Sequence, residues 1–225
     1  MDAVKAMFFK QLDDFPKNIS VTLLYILYPI MAFVMGNLRG YADIYAATFA
    51  AMFVGATPMI AICNTVAEDN EYKSLRFLVM AGVKPSQYLL GLAGFVFIMS
   101  FLPLAAFAAI GSFSGELLLK FVIVSLLGLV ASSILGAAIG IFAKSVQQAA
   151  ALYTPAMLVL AFAPVFAGAN ENLARIAELL FSYQVLLVVL NPYADLTRAL
   201  IVIAANIAVL LTFFIVVYKK KGLRG

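Results

Sequence analysis

Few residues of this sequence are of types that carry out covalent chemistry. It contains no histidine, which removes the commonest general base and the commonest metal ligand. Its single cysteine, Cys63, lies within an apolar run, where a packing role is expected. Lys144 and Ser145 are adjacent and of the types used in a Ser-Lys dyad, but charge boundaries place them at a helix end. We therefore expect no catalytic residue, no metal site and no enzyme activity of the chain's own.

A nucleotide site is not expected either. The sequence has no glycine-rich loop followed by lysine of the kind that holds nucleotide phosphates. Its long apolar stretches hold no charge that could relay protons or bind a coupling ion. Any energy for work must then come from a partner, and we expect no cofactor to be bound by this chain.

Residues 68–84 hold six charged residues between two long apolar stretches, which makes this run the best candidate for contact with a partner. Its pattern predicts a short helix over 69–81. Acidic residues crowd the predicted start, where they would complement the helix dipole, Gly82 would end the helix and Pro85 would open the next. A connection that only reversed the chain could be far shorter.

The predicted helix is amphipathic. Four apolar residues share one face, namely Tyr72, Leu75, Leu78 and Val79. Such a helix either lies on lipid headgroups or docks in a groove of a partner, and residue spacing alone leaves both open. The residues that we expect at the contact are Glu68, Asp69, Glu71, Tyr72, Leu75, Arg76 and Leu78.

The composition describes a membrane protein. Of the 225 residues, 65% are hydrophobic and only 12% are charged, and the mean hydropathy is +1.05. Soluble domains carry about 25% charged residues. These charges are too few to cover the surface of a soluble domain, which we therefore exclude. We also exclude a disordered chain, a coiled coil and a disulfide scaffold.

Between its charged residues the chain has seven long uncharged stretches. They are 18–38, 44–67, 85–115, 121–143, 145–170, 179–194 and 199–218. A crossing helix needs about 20 mostly apolar residues. Six stretches qualify, and the 31 residues of 85–115 are expected to be one helix plus an outer loop. The apolar part of the remaining stretch ends at Asn191-Pro192 and suits a re-entrant segment better than a span.

The basic residues determine the predicted topology. With six crossings, one side of the membrane holds 11 of the 15 Lys and Arg residues. Because basic residues accumulate on the cytoplasmic side, we predict six transmembrane helices in an all-α fold with both termini in the cytoplasm. A seventh crossing would place the basic tail, residues 219–225, outside.

The first 17 residues do not resemble a signal peptide, because they mix acids and bases without a continuous apolar core. Residues 1–17 divide loosely into an apolar and a charged face and predict an interfacial helix on the inner leaflet, with a mobile tail as the alternative. Residues 18–218 then form one membrane domain.

Small residues recur at every fourth position of the fourth span, at Gly128, Ser132, Gly136 and Gly140. They form a ridge along one side of a helix, which permits close approach of backbones in lipid. Packing within one subunit is the favoured interpretation, and a contact between subunits is the alternative.

The run 67–78 together with 82–91 resembles the signature of ABC-2 type exporter permeases. An acid-rich stretch, a Ser before Leu at Ser74-Leu75, and a small-residue turn with Pro85 precede the third span. Residues 191–196, with Arg198, are similar to the outer segment of that family. The usual Gly-Thr-Leu is Lys73-Ser74-Leu75 here. The six-span layout matches over essentially the whole chain.

This resemblance implies a complex of two permease copies, identical or related, with two cytoplasmic ATP-binding-cassette subunits that bind ATP and Mg²⁺. It implies that 69–81 is the coupling helix that sits in a groove of the ATPase. It also implies that 171–192 forms paired outer helices that dip back into the membrane, and that the first and fifth spans help form the dimer contact and substrate path. No nucleic-acid partner is expected.

Three tyrosines of the implied path, Tyr25, Tyr28 and Tyr153, are candidates for its lining, with membrane-interface anchoring or interhelical bonding as the alternative. Aromatic walls without charge suit an amphipathic or hydrophobic cargo, such as a membrane-active peptide, a lipid-like molecule or a drug. The leading hypothesis is thus an exporter permease in a cell membrane, with the bacterial plasma membrane as the expected location. The competing hypothesis is a membrane assembly or insertion factor without transport activity.

Overall fold

The computed structural model describes residues 3–168, 170–191 and 195–221, and within its helices the side chains of Leu75, Arg76, Val79 and Lys221 are left undescribed. The chain is 89% helical, and the described ranges contain no strand. The predicted all-α class is confirmed.

The described residues form ten α-helices, with a 3-10 turn at Phe15–Lys17 between the first two. The helices are α1 (Ala3–Asp14), α2 (Ile19–Arg39), α3 (Ala42–Glu71), α4 (Ser74–Met80), α5 (Pro85–Ile110), α6 (Gly115–Phe142), α7 (Val146–Ala167), α8 (Glu171–Ala177), α9 (Phe181–Leu190) and α10 (Leu196–Lys221).

Six of these helices are long and apolar enough to cross a membrane, namely α2, α3, α5, α6, α7 and α10. The six-span prediction is confirmed. Six crossings return the chain to the side on which it started, so α1 and the end of α10 lie at one end of the bundle. We call this end the terminal face and the opposite end the outer face. The assignment of the terminal face to the cytoplasm stays a prediction.

The second span, α3, is the centre of the bundle. In its most apolar stretch 89% of the residues are buried, against 28% for α2 and 22% for α7, which flank it. The outer half of α3 carries alanines that are completely buried, at Ala46, Ala47, Ala50 and Ala51. Short side chains let neighbouring backbones approach closely, which favours association where lipid already solvates apolar groups.

The small-residue ridge of α6 packs on α3 of the same chain. A Cβ added at Gly128 would lie 2.5 Å from Val54 Cγ1, and one added at Gly136 would lie 2.9 Å from Met59 Cα. At Gly140 the added atom would lie 2.8 Å from Val66 Cβ. Larger side chains would therefore force α3 and α6 apart.

Ser132, the second residue of the ridge, bonds to the backbone of α3. Its hydroxyl accepts from the Met59 N–H at 3.2 Å and donates to the Gly55 carbonyl at 3.4 Å. Pro58 lies between these two positions and has no N–H, which weakens the hydrogen-bond ladder of α3. The hydroxyl of α6 thus supports α3 at its proline.

On the outer side, α8 and α9 meet at an angle of 112°. Phe181 faces Gly128 and Ser182 lies against Gly55, so α9 begins near the middle of α3. Polar side chains satisfy the carbonyls at the break, since Gln184 donates to Glu178 O and Asn206 donates to Leu179 O. Non-helical backbone at membrane depth needs such partners. Of the predicted segment 171–192, Pro192 lies outside the described residues.

Candidate functional site

The predicted short helix exists, but it begins later than expected. Residues 69–71 belong to α3, and the separate helix α4 runs only from Ser74 to Met80. The chain turns at Lys73, which has a φ of +57°, and α4 ends before Gly82, which has a φ of +83°. Pro85 opens α5. The prediction of one helix over 69–81 is therefore wrong at its N-terminal boundary.

The acidic residues consequently lie at the C-terminal end of a helix, where their charge opposes the helix dipole. The expectation that they stabilise a helix start is wrong. The physical reason is tertiary, because Lys10 of α1, Tyr88 of α5 and Val146 of α7 provide ammonium, hydroxyl and N–H donors to Asp69 and Glu71. A sequence pattern that scores only local capping does not include these partners.

Asp69 is a buried carboxylate that joins three helices. Its Oδ1 accepts from Lys10 Nζ of α1 at 2.8 Å, and its Oδ2 accepts from the Tyr88 hydroxyl of α5 at 2.7 Å. The helix α1 lies close to α5, since a Cβ at Gly91 would be 2.6 Å from Met7 Cβ. Asp69 was expected at the partner contact, but its burial gives it an internal structural role instead.

The next two residues of α3 hold the junction of α6 and α7. Asn70 Nδ2 donates to Gly140 O at 3.1 Å and to Ala143 O at 3.3 Å, at the end of α6. The Glu71 carboxylate accepts from the Val146 N–H at 2.9 Å, at the first turn of α7, where the helix dipole favours a negative charge. We call residues 69–71 with these partners the α3 junction. It links α3 to α1, α5, α6 and α7.

Beyond the α3 junction, the segment around α4 presents exposed apolar side chains at the terminal face. Tyr72 is 70% exposed, Phe77 65% and Met80 66%. Leu78 is half-buried and packs against the core, so it faces inward rather than toward a partner as expected. The predicted contact residues Leu75 and Arg76 have side chains outside the described set. We call Tyr72, Phe77 and Met80 the α4 surface.

A cleft of about 620 Å³ adjoins the α3 junction at the terminal face. It lies among α1, the 3-10 turn, the start of α2, the end of α3, the start of α4, and α5. Glu68 lines this cleft and is exposed. We call it the terminal cleft.

The three tyrosines predicted to line a substrate path differ in how deeply they are buried. Tyr25 is buried and packs edge-on against Phe53, with ring centroids 5.6 Å apart, and Tyr28 contacts the same ring at 6.3 Å. Tyr25 is thus a core residue between α2 and α3, which contradicts a lining role within this chain. Tyr28 and Tyr153 are half-buried and pack against the core.

Several residues of the site were not expected from the sequence. Lys10, Asn70 and Tyr88 complete the α3 junction, and Phe77 and Met80 form most of the α4 surface. A signal existed for the first group, because Asp69 lies close to the end of the uncharged run 44–67, and a carboxylate that is buried near the membrane needs a partner. Nothing in the sequence identified which cation would reach it.

Among the described residues, no group of three Asp, Glu or Cys side chains is placed to hold a metal ion. The described site combines hydrogen bonds that join α3 to four other helices with exposed apolar side chains on and beside α4.

Comparison with known families agrees with this arrangement. A family model described as an ABC-2 family transporter protein matches residues 3–218, which includes all six spans, the α3 junction and α4. No curated protein matches the chain. Because the match extends over nearly the whole sequence, this chain belongs to the ABC-2 family and is a multi-pass membrane component of an ABC transporter.

Proposed function

We propose that this chain is the permease subunit of an ABC exporter, driven by a separate ATPase that binds ATP and Mg²⁺. The family implies association with an ABC ATPase and with the membrane. Two permease copies, identical or related, would pair with two ATPase subunits in the plasma membrane of a bacterium. The terminal face would then lie in the cytoplasm, as its basic residues indicate.

The α4 surface is the observation that carries this proposal. Three large apolar side chains are each more than 60% exposed on and beside a helix that is too short to cross a membrane. They lie next to charged residues such as Lys73 and Lys84, which would keep the helix at an aqueous boundary. A groove on a cytoplasmic subunit would bury these apolar groups.

The α3 junction supports the mechanical part of the proposal. Only Tyr72 and Lys73 separate α4 from Glu71, so a displacement of α4 acts directly on the end of α3. From there, direct hydrogen bonds lead to α1, α5, α6 and α7. Closure of the ATPase dimer would thus shift several spans together and switch the access of the path between the two faces.

The substrate path would lie between the two permease copies. The helices α2 and α7 flank α3 and leave most of their surfaces exposed, which fits pairing with a second copy. Because Tyr25 is in the core, the lining would instead come from the exposed apolar side chains of α2 and α7. Walls of this kind suit an amphipathic or hydrophobic cargo, such as a membrane-active peptide, a lipid-like molecule or a drug.

The test compares two double variants of the full chain, co-expressed with the cassette ATPase of its native host. In F77A/M80A the α4 surface loses two of its three apolar groups. In the control, L173A/I176A, two exposed apolar side chains are removed from α8 at the outer face. We expect the first variant to lose co-purification of the ATPase by about tenfold, equivalent to about 1.4 kcal/mol, and the control to retain it.

Co-purification of the ATPase with F77A/M80A at the wild-type level would contradict the docking role of α4. Consistent absence of any cassette ATPase from the wild-type preparation would instead favour the assembly or insertion factor. Intact helical circular dichroism of both variants ensures that the comparison concerns docking.

A further inference from the structure

The terminal cleft combines an apolar floor with a polar rim. Its floor is formed by side chains that are almost completely buried, including Leu92, Phe95 and Val96 of α5. The rim contains exposed residues such as Ile19 and Ser20 at the start of α2. At about 620 Å³ the cleft has the size of a small-molecule site, for which about 300 to 1,000 Å³ is typical.

The charges along the cleft are unevenly matched. Three carboxylates line it, from Asp14, Glu68 and Asp69, against the two ammonium groups of Lys10 and Lys17. Lys10 pairs with Asp69 at 2.8 Å, and Lys17 pairs with Asp14 at 3.0 Å. Both cations are therefore already engaged.

Glu68 is the carboxylate that remains. It makes no hydrogen bond or ion pair with any residue whose side chain the structure describes. Partial burial and the charges of Asp69, Asp14 and Glu71 disfavour its ionised form, and among the described groups the charge of Lys10 favours it. A cation that entered the cleft beside Glu68 would relieve this repulsion.

The chemistry of the cleft favours an organic cation. The carboxylates are not arranged to hold a metal ion, so far as the described side chains extend. The floor behind them is apolar and would receive hydrocarbon rather than the hydration shell of a small ion. We propose that the terminal cleft binds the ammonium group of an amphiphile, with Glu68 as counter-ion and the floor on α5 in contact with the adjoining apolar part.

Such an amphiphile has two sources, a membrane lipid with an ammonium headgroup or a single-chain molecule that arrives from solution. This binding does not depend on the ATPase, so its failure is distinguishable from failure of the transport proposal. The first measurement is native mass spectrometry of the full chain released from micelles with equal amounts of phosphatidylethanolamine and phosphatidylglycerol. Their acyl chains are matched, so only the headgroups differ.

We expect the wild-type chain to retain phosphatidylethanolamine about tenfold over phosphatidylglycerol, and E68Q to reduce this preference to about twofold or less, because an isosteric change removes the counter-ion. The matched control is D13N. Asp13 is an exposed carboxylate of α1 that does not line the cleft. The lipid preference of D13N should therefore equal that of the wild type.

A second variant tests the cleft without altering its charge. In S20W an indole occupies the rim next to the floor, and the same loss of preference is expected. The natural sequence contains no tryptophan, so all tryptophan emission comes from the introduced indole. Its emission wavelength reports whether the indole lies inside the cleft or in water. Helical circular dichroism of each variant is compared with the wild type.

The second arm measures dodecylammonium binding by calorimetry, with the chain in nanodiscs of phosphatidylglycerol alone. Retention of phosphatidylethanolamine that E68Q abolishes supports a lipid ligand. Glu68-dependent binding of dodecylammonium without lipid preference supports a single-chain ligand from solution. Equal retention of both lipids together with no dodecylammonium binding overturns the proposal, as does any preference or binding that is unchanged in E68Q.

Discussion

The helices α3 and α10 are both long apolar spans, yet they occupy opposite environments. In the most apolar 18-residue stretch of each helix, the mean hydropathy is 1.8 for α3 and 2.9 for α10, while the buried share is 89% and 11%. The less apolar helix is the central one. Hydropathy therefore does not rank spans by burial, because lipid accommodates a leucine face as well as protein does.

The shape of the helix surfaces accounts for the difference in burial between α3 and α10. Helix α3 offers alanines and Gly55 to its neighbours and receives the glycine ridge of α6. Helix α10 instead exposes large side chains such as Ile201, Val209 and Phe213. Small surfaces permit close packing between helices, whereas large branched ones at the periphery are solvated by lipid chains.

The largest expected effect comes from Gly136, which lies against the backbone of Met59. Because backbone cannot move aside as a flexible side chain can, Gly136→Leu should separate α6 from α3 and destabilise the fold by more than about 3 kcal/mol. The measurement is the yield of monodisperse protein and its unfolding in mixed micelles with dodecyl sulfate. The matched control is Ala205→Leu on the exposed side of α10, which should behave as the wild type.

Equal yields of the Gly136 and Ala205 variants would contradict the central position of α3. They would also show that the ridge of α6 tolerates wider separation than its geometry indicates.

Removal of a central aromatic side chain should have the next largest effect. Phe53 is completely buried and contacts Tyr25, Tyr28 and Phe107. Phe53→Ala should cost about 2 kcal/mol, below the usual range for phenylalanine in water because the unfolded reference also lies in lipid. Phe213→Ala on α10 should change stability by less than about 0.5 kcal/mol. Unfolding in dodecyl sulfate measures both, and a larger cost at α10 would reverse the comparison.

The smallest expected effect concerns a single hydroxyl. Ser132→Ala removes the acceptor of the Met59 N–H and should cost about 0.6 to 1 kcal/mol. Thr212 of α10 donates only to Ala208 O of its own helix, so Thr212→Ala should be neutral. Hydrogen exchange of the Met59 amide provides a direct measurement, since it should accelerate in Ser132→Ala but not in Thr212→Ala. Unchanged exchange there would mean that α3 does not depend on α6 at its proline.

Much of the fold could be predicted because membrane insertion is a property of local composition. The six uncharged stretches of sufficient length correspond to the six spans, and the spacing of Gly128, Ser132, Gly136 and Gly140 correctly indicated a packing surface. The start of α4 was misplaced because Glu68, Asp69 and Glu71 match the pattern of a helix beginning. The partners of Asp69 and Glu71 include Lys10 and Val146, which lie 59 and 75 positions away, and no local pattern contains them.

The sequence by itself determined that six stretches are long and apolar enough to cross the membrane, and that dense charge lies between two of them at residues 68–84. These follow from composition and from the cost of placing charge in hydrocarbon. Only the tertiary structure decided that α3 is central, that Asp69 is buried and Glu68 faces a cleft, and that Phe77 and Met80 are exposed. Those outcomes depend on which helix surfaces meet, and in lipid such meetings are selected by shape and hydrogen bonding rather than by hydropathy.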